Sequence, residues 1–183
     1  MKTTKKLSVS LFILAIFAGL NINLYANDKS GKSAPTKNVV EIAVADERFS
    51  ILVEAVSKAG LVEALSAEGP YTVFAPTNDA FEMLFKDLGV KGVQDLSADQ
   101  LTPILLYHVV SGKVMAADVK SGKVKTLNEQ AWLDMDAGSS GVTINNASKV
   151  VIADVEGTNG VIHVIDRVLI PESKKMESSS GCN

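Results

Sequence analysis

The run Val161-Ile-His-Val-Ile-Asp-Arg-Val-Leu-Ile170 constrains the fold more than any other stretch of this 183-residue chain. Val161, Ile165 and Leu169 fall on one parity, Ile162, Val164 and Val168 on the other. Successive strand side chains point to opposite faces, so a strand of this composition must be covered on both sides. The chain has a single cysteine, Cys182, so no internal disulfide can replace that cover. The core alone must hold the fold.

Helical patterns in the first half supply the cover. Asp46 is placed to cap a helix whose Phe49, Leu52, Val53 and Val56 recur at one-face spacing. Gly60 is placed to end it. Leu61, Val62 and Leu65 predict a short helical turn that Gly69-Pro70 breaks. Tyr71 to Ala75 reads as a strand from its aromatic and β-branched content, and Pro76 stops it. Thr77 or Asn78 can then cap a helix carrying Phe81, Leu84 and Phe85, with Asp79 in its first turn, where negative charge is favourable. Ser97-Ala-Asp-Gln100 is a capping-box pattern opening a helix toward His108. Pro103 conflicts with that helix, because it removes one helical hydrogen bond; a kink, or a start nearer Leu101, is expected.

From Lys113 the pattern turns to strands: Val124–Leu127, Ala131–Met135, Val142–Ile144, Lys149–Val155 and Val161–Ile170. Asp136–Gly141 and Glu156–Gly160 are the clearest turns between them. Helices first and strands after place the chain in the α+β class. No segment recurs, so the chain reads as one domain.

The ends look different from this domain. Lys2, Lys5 and Lys6 precede an apolar run from Leu7 to Leu20, and Leu24-Tyr-Ala26 offers a small residue for cleavage. This is the layout of a secretory signal peptide over residues 1–26. Residues 27–37 read as a polar linker, 38–171 as the domain and 172–183 as a polar tail too poor in apolar surface to order itself. The formal net charge is −3, and loss of the leader's three lysines makes the chain more acidic. With no basic block, neither nucleic acid nor an anionic membrane surface is an expected partner. Cys182 on the tail can stay a free thiol or link two copies into a homodimer.

Three segments carry a family resemblance. Tyr71-Thr-Val-Phe-Ala-Pro-Thr-Asn-Asp-Ala-Phe81, Leu105-Leu-Tyr-His-Val-Val110 and Asn159-Gly-Val-Ile-His-Val-Ile-Asp-Arg-Val-Leu-Ile-Pro171 resemble, in order and spacing, the signature segments of the fasciclin domain. Val39 to Phe49 is similar to the family's first helices. The short leader and lone domain read as bacterial. The resemblance covers about Asn38 to Pro171. It implies a twisted β-sandwich or wedge flanked by several helices. It also implies a secreted adhesion or interaction module, with no catalytic centre and no cofactor, that meets membranes only through its partners. In animal relatives the Tyr-His region and the final strand have been linked to integrin binding; this chain has no Arg-Gly-Asp tripeptide. Thr77, Asp79, Tyr107, His108, Gly160 and His163 are the motif positions, and the roles implied for them are structural.

His108 and His163 are the only histidines. Two can begin a metal site or act as a general base, but zinc usually takes three or four protein ligands, and no His-Glu-x-x-His or paired-cysteine motif supplies the rest. Apolar neighbours favour a buried, hydrogen-bonded role for both. No Gly-x-Ser-x-Gly elbow is present. Gly138-Ser-Ser-Gly141 leads into a strand pattern, so it reads as a turn and not as a phosphate cradle. Asn146-Ala-Ser148 matches a glycosylation acceptor but is expected to go unused. Trp132, Asp134 and Asp136 alternate on one strand and share a face. That face is either an ordinary solvated surface or a platform that stacks a sugar ring. The expected partner is thus an extracellular protein or a glycan.

Overall fold

The computed structural model describes residues 34–129, 131–138 and 141–171. The expected signal peptide, most of the expected linker, the tail and Cys182 lie outside the described residues. So do Ser139 and Ser140 of the glycine-rich turn.

Helix α1 (Val39–Val44) starts at a capping box: Asn38 Oδ1 accepts from the Glu41 N–H at 2.8 Å, and Glu41 Oε2 accepts from the Asn38 N–H at 2.8 Å. Asp46 does not cap the next α-helix directly. It caps a 3₁₀ turn over Glu47–Phe49, and α2 (Ser50–Lys58) follows. Gly60 ends that helix with φ +70°, and α3 (Val62–Ser66) precedes strand β1 (Tyr71–Pro76). Thr77 caps α4 (Asn78–Leu88). Ser97 and Gln100 form the expected capping box for α5 (Ala98–Tyr107). That helix starts at Ala98, ahead of Leu101, with Pro103 inside it. The carbonyl deprived of a donor there is that of Asp99, in an exposed first turn where water can serve it.

Strand β2 (Val109–Ser111) leaves α5 after one residue; no strand is predicted there from sequence. Strands β3 (Gly122–Lys125), β4 (Trp132–Gly138), β5 (Gly141–Ile144), β6 (Ser148–Gly157) and β7 (Gly160–Ile165) follow. Both predicted turns are shorter than expected, because ladder pairs Gly138↔Gly141 and Gly157↔Gly160 carry the strands to the turn itself.

One seven-stranded sheet results, in the order β2-β1-β7-β6-β5-β4-β3. Only β1 and β7 are parallel. A bridge between Val110 and Thr126 brings the β2 edge back to the end of β3, so the sheet curls almost closed. This is the predicted α+β class.

The closing strand is shorter than predicted. All six residues of β7 are buried, and both faces are covered. Ile162 and Val164 pack with Phe49, Leu52, Phe81 and Leu105 from the helices. Ile165 packs with Phe74, Leu133 and Ile144 inside the curl. Each such side chain contributes about 1.5–3 kcal/mol on burial. Val168 to Ile170 lie beyond the strand. Asp166 marks its end: its carboxylate accepts from the Lys149 N–H at 2.7 Å.

Gly160 pairs with Tyr71 at the start of both β1 and β7. A Cβ there would lie 2.2 Å from the Tyr71 carbonyl oxygen, so no other residue fits without moving backbone.

Candidate functional site

Both histidines are 2% exposed, and both rings are fully engaged. His108 donates from Nδ1 to the Ile104 carbonyl at 2.7 Å, and its Nε2 accepts from the Leu169 N–H at 2.9 Å. Burial pushes its pKa down to about 4, and the bond to Ile104 only partly opposes that. His108 is therefore neutral near pH 7, with its proton on Nδ1. His163 has the opposite tautomer. Its Nε2 donates to the Val114 carbonyl at 2.8 Å, and its Nδ1 accepts from the Asp154 N–H at 3.3 Å. Irregularities in β6 on either side of Ile152, together with φ +59° at Asp154, aim that N–H inward.

Each histidine lines a different cavity. His108 borders an apolar one of about 100 Å³ among α1, α2 and α3, where Val44 stands exposed. His163 borders one of about 300 Å³ with Phe74, Val110, Val119 and Met135, its ring stacked 5.7 Å from that of Phe74. Neither ring has a nitrogen left for a substrate or a metal. Among the described residues no group of three or more His, Cys, Asp or Glu is arranged to hold a metal ion, and no helix is long and apolar enough to cross a membrane.

Thr77 and Asp79 lie at the start of α4, with Thr77 as its cap and Asp79 in its first turn. Asn78, between them, does more than the sequence signals. Its Oδ1 accepts from the Ile51 N–H at 3.1 Å, and its Nδ2 donates to the Glu47 carbonyl at 2.9 Å. It thereby serves the start of α2, which has no cap of its own. Asn159 acts likewise, accepting from the Val39 N–H and donating to the carbonyls of Leu65 and Ala67. An asparagine before a glycine signals only a turn in sequence; these longer reaches depend on tertiary placement.

Tyr107 joins the two groups of candidate residues. Its buried hydroxyl donates to the Trp132 carbonyl at 2.9 Å and accepts from Asn145 Nδ2 at 2.9 Å. Asn145 also brackets Asp134: its Oδ1 accepts from the Asp134 N–H at 2.9 Å, and its own N–H donates to the Asp134 carbonyl at 2.7 Å. The backbone of β4 at Trp132 and Asp134 is thus held along its β5-facing edge. The side chains of its outer face are open: Trp132 is 54% exposed, and Asp134 and Asp136 are exposed with it. Ser121 Oγ donates to Asp136 Oδ1 at 3.0 Å. Lys125 stands opposite Trp132, and Lys123 opposite Asp134, on β3.

Of the glycosylation acceptor, Ser148 is fully buried, with its hydroxyl donating to the Arg167 carbonyl at 3.2 Å.

A family model described as the fasciclin domain matches residues 47–171. Protein sll1483 of Synechocystis sp. is 51% identical over 133 residues, which is 73% of this chain and 73% of that protein. Transforming growth factor-beta-induced protein ig-h3 of Sus scrofa is 38% identical over 171 residues, covering 85% of this chain and 24% of that one. A solved FAS1 domain pair from the insect cell adhesion molecule Fasciclin I is similar in fold. It has a TM-score of 0.63 at 21% identity and covers 76% of this chain and 52% of that one.

Proposed function

Because the chain belongs to the fasciclin-domain family, we propose that it is exported and works by binding, as an adhesion or interaction module for a cell-surface, matrix or envelope component. The observation that carries this reading is the family match across residues 47–171, nearly all of the described domain. A domain pair of the same fold belongs to an insect cell adhesion molecule. The leader pattern at Lys2 to Ala26 supports export.

The internal chemistry is consistent with binding. The two groups best suited to proton transfer, His108 and His163, spend both ring nitrogens on backbone partners. A general base needs one nitrogen within reach of the proton it takes.

The test is interferometry with the full exported chain immobilised, against fractionated envelope and matrix material, with heat-unfolded chain as control. Saturable, reversible binding by folded chain alone is expected. Binding no greater than the unfolded control in every fraction, or conversion of a supplied component into product, would overturn the proposal.

A further inference from the structure

We infer that the outer face of β3 and β4 around Trp132 is a binding platform for a neutral pyranose glycan, with Tyr107 and Asn145 as its positioning residues. This rests on the reading of the chain as a binding module and names the chemistry of the partner.

The face is set by alternation. Leu133 and Met135 point into the core at 0% and 3% exposure, so Trp132, Asp134 and Asp136 point out together. The register places Lys125 directly across from Trp132, and Lys123 across from Asp134. Residues paired in this way have Cβ atoms roughly 5 Å apart. The result is a single exposed indole with ammonium and carboxylate groups around it.

That composition selects the occupant. The fully buried core of a protein–protein interface is depleted of charge and groups its apolar anchors. Here the residues that register and alternation set next to the indole, Lys125 across from it, Lys123 on the diagonal and Asp134 along the strand, are all charged and exposed, with the uncharged Thr143 further off opposite Asp136, so a protein docking on it would bury several ions for one aromatic contact. A pyranose ring fits instead. Its C–H face stacks on the indole, while its rim hydroxyls donate to Asp134 and accept from Lys125. Two lysines against two aspartates leave little net field, which favours a neutral sugar over an acidic one.

The second observation is that tertiary hydrogen bonds fix the strand backbone from which these side chains project. Stacking on a mobile side chain loses affinity to ordering, whereas a preorganised platform does not. The Tyr107 hydroxyl holds the Trp132 carbonyl, and Asn145 holds both the N–H and the carbonyl of Asp134. Tyr107 does not touch the ligand; it acts through the β4 backbone.

Trp132 is the only tryptophan in the chain, so its fluorescence reports this face alone. The experiment titrates the full exported chain with cellohexaose, laminarihexaose and an oligogalacturonate hexamer. A saturable blue shift with at least one neutral hexamer is expected, little changed between about 50 and 500 mM salt because the ligand carries no charge. Trp132→Ala and Asp134→Asn, both at exposed positions, should fold normally and bind the same hexamer at least tenfold more weakly by calorimetry. Tyr107→Phe, measured below its melting temperature, should lower the fluorescence anisotropy of Trp132 and weaken binding about fivefold. Unchanged anisotropy and affinity would remove Tyr107 from the site. A shift with the galacturonate alone would overturn the neutral assignment. No shift with any hexamer, while the chain still binds envelope material, would overturn the platform and leave the binding reading standing. Loss of both would overturn both.

Discussion

His108 shows how one residue couples the family motif to stability. Its folded pKa is about 4 against an ordinary 6.5. Between those values the unfolded chain holds a proton that the folded chain refuses, so folding stability must fall as pH drops through that window. Above about pH 6.5 the contribution is constant. Across the window it amounts to about 3 kcal/mol. Urea unfolding from pH 7 to pH 4 should show this loss in the native chain. His108→Gln, less stable at pH 7, should lack that part of the slope. An equal slope in both would mean that another group governs acid sensitivity. Gly160 makes a steric case at the same scale. Gly160→Ala places a methyl 2.2 Å from the Tyr71 oxygen and should cost about 3 kcal/mol, whereas Gly138→Ala, with open space, should be nearly neutral. Thermal melts of the two variants check the contrast.

At the scale of elements, local signals were legible and distant ones were not. Ser97 with Gln100, Thr77 and Gly60 act within a few residues of themselves, and their sequence patterns alone place the helix ends they serve. Strand β2 is three residues long, and its partners lie some forty residues before it and across the Thr126 bridge; nothing in Val109-Val-Ser111 announces them. The ending of β7 at Ile165 depends on Asp166 reaching Lys149, again across the fold. Asn78 is the clearest hidden part, since it sits at the start of one helix and serves another. Asn78→Ala should therefore cost about 2 kcal/mol, because it strands the part-buried Ile51 N–H, while the Glu47 carbonyl keeps its bond from the Ser50 N–H. Thr77→Ala removes one ordinary cap and should cost about 1 kcal/mol. Hydrogen exchange at Ile51 separates the two: it should accelerate in the Asn78 variant and stay slow in the Thr77 variant.

For the whole molecule, the α+β class and the family were legible because the closing strand, the Tyr71–Phe81 segment and the Tyr107-His108 pair survive as contiguous sequence. The candidate face was legible only in part. Alternation puts Trp132, Asp134 and Asp136 on one side, but the lysines opposite and the Tyr107–Asn145 bonds to the β4 backbone come from strand register and tertiary placement. We propose that the folded domain acts by binding and that residues 172–183 are dispensable to it. Once a component has been captured from the envelope and purified, its one-to-one affinity should be measured for the reduced full-length chain and for a chain ending at Pro171. Equal melting temperatures are expected, with dissociation constants equal within about twofold, since the polar tail offers little apolar anchor. Loss of binding in the truncated chain, with its melting temperature intact, would place recognition in the tail and not in the folded domain.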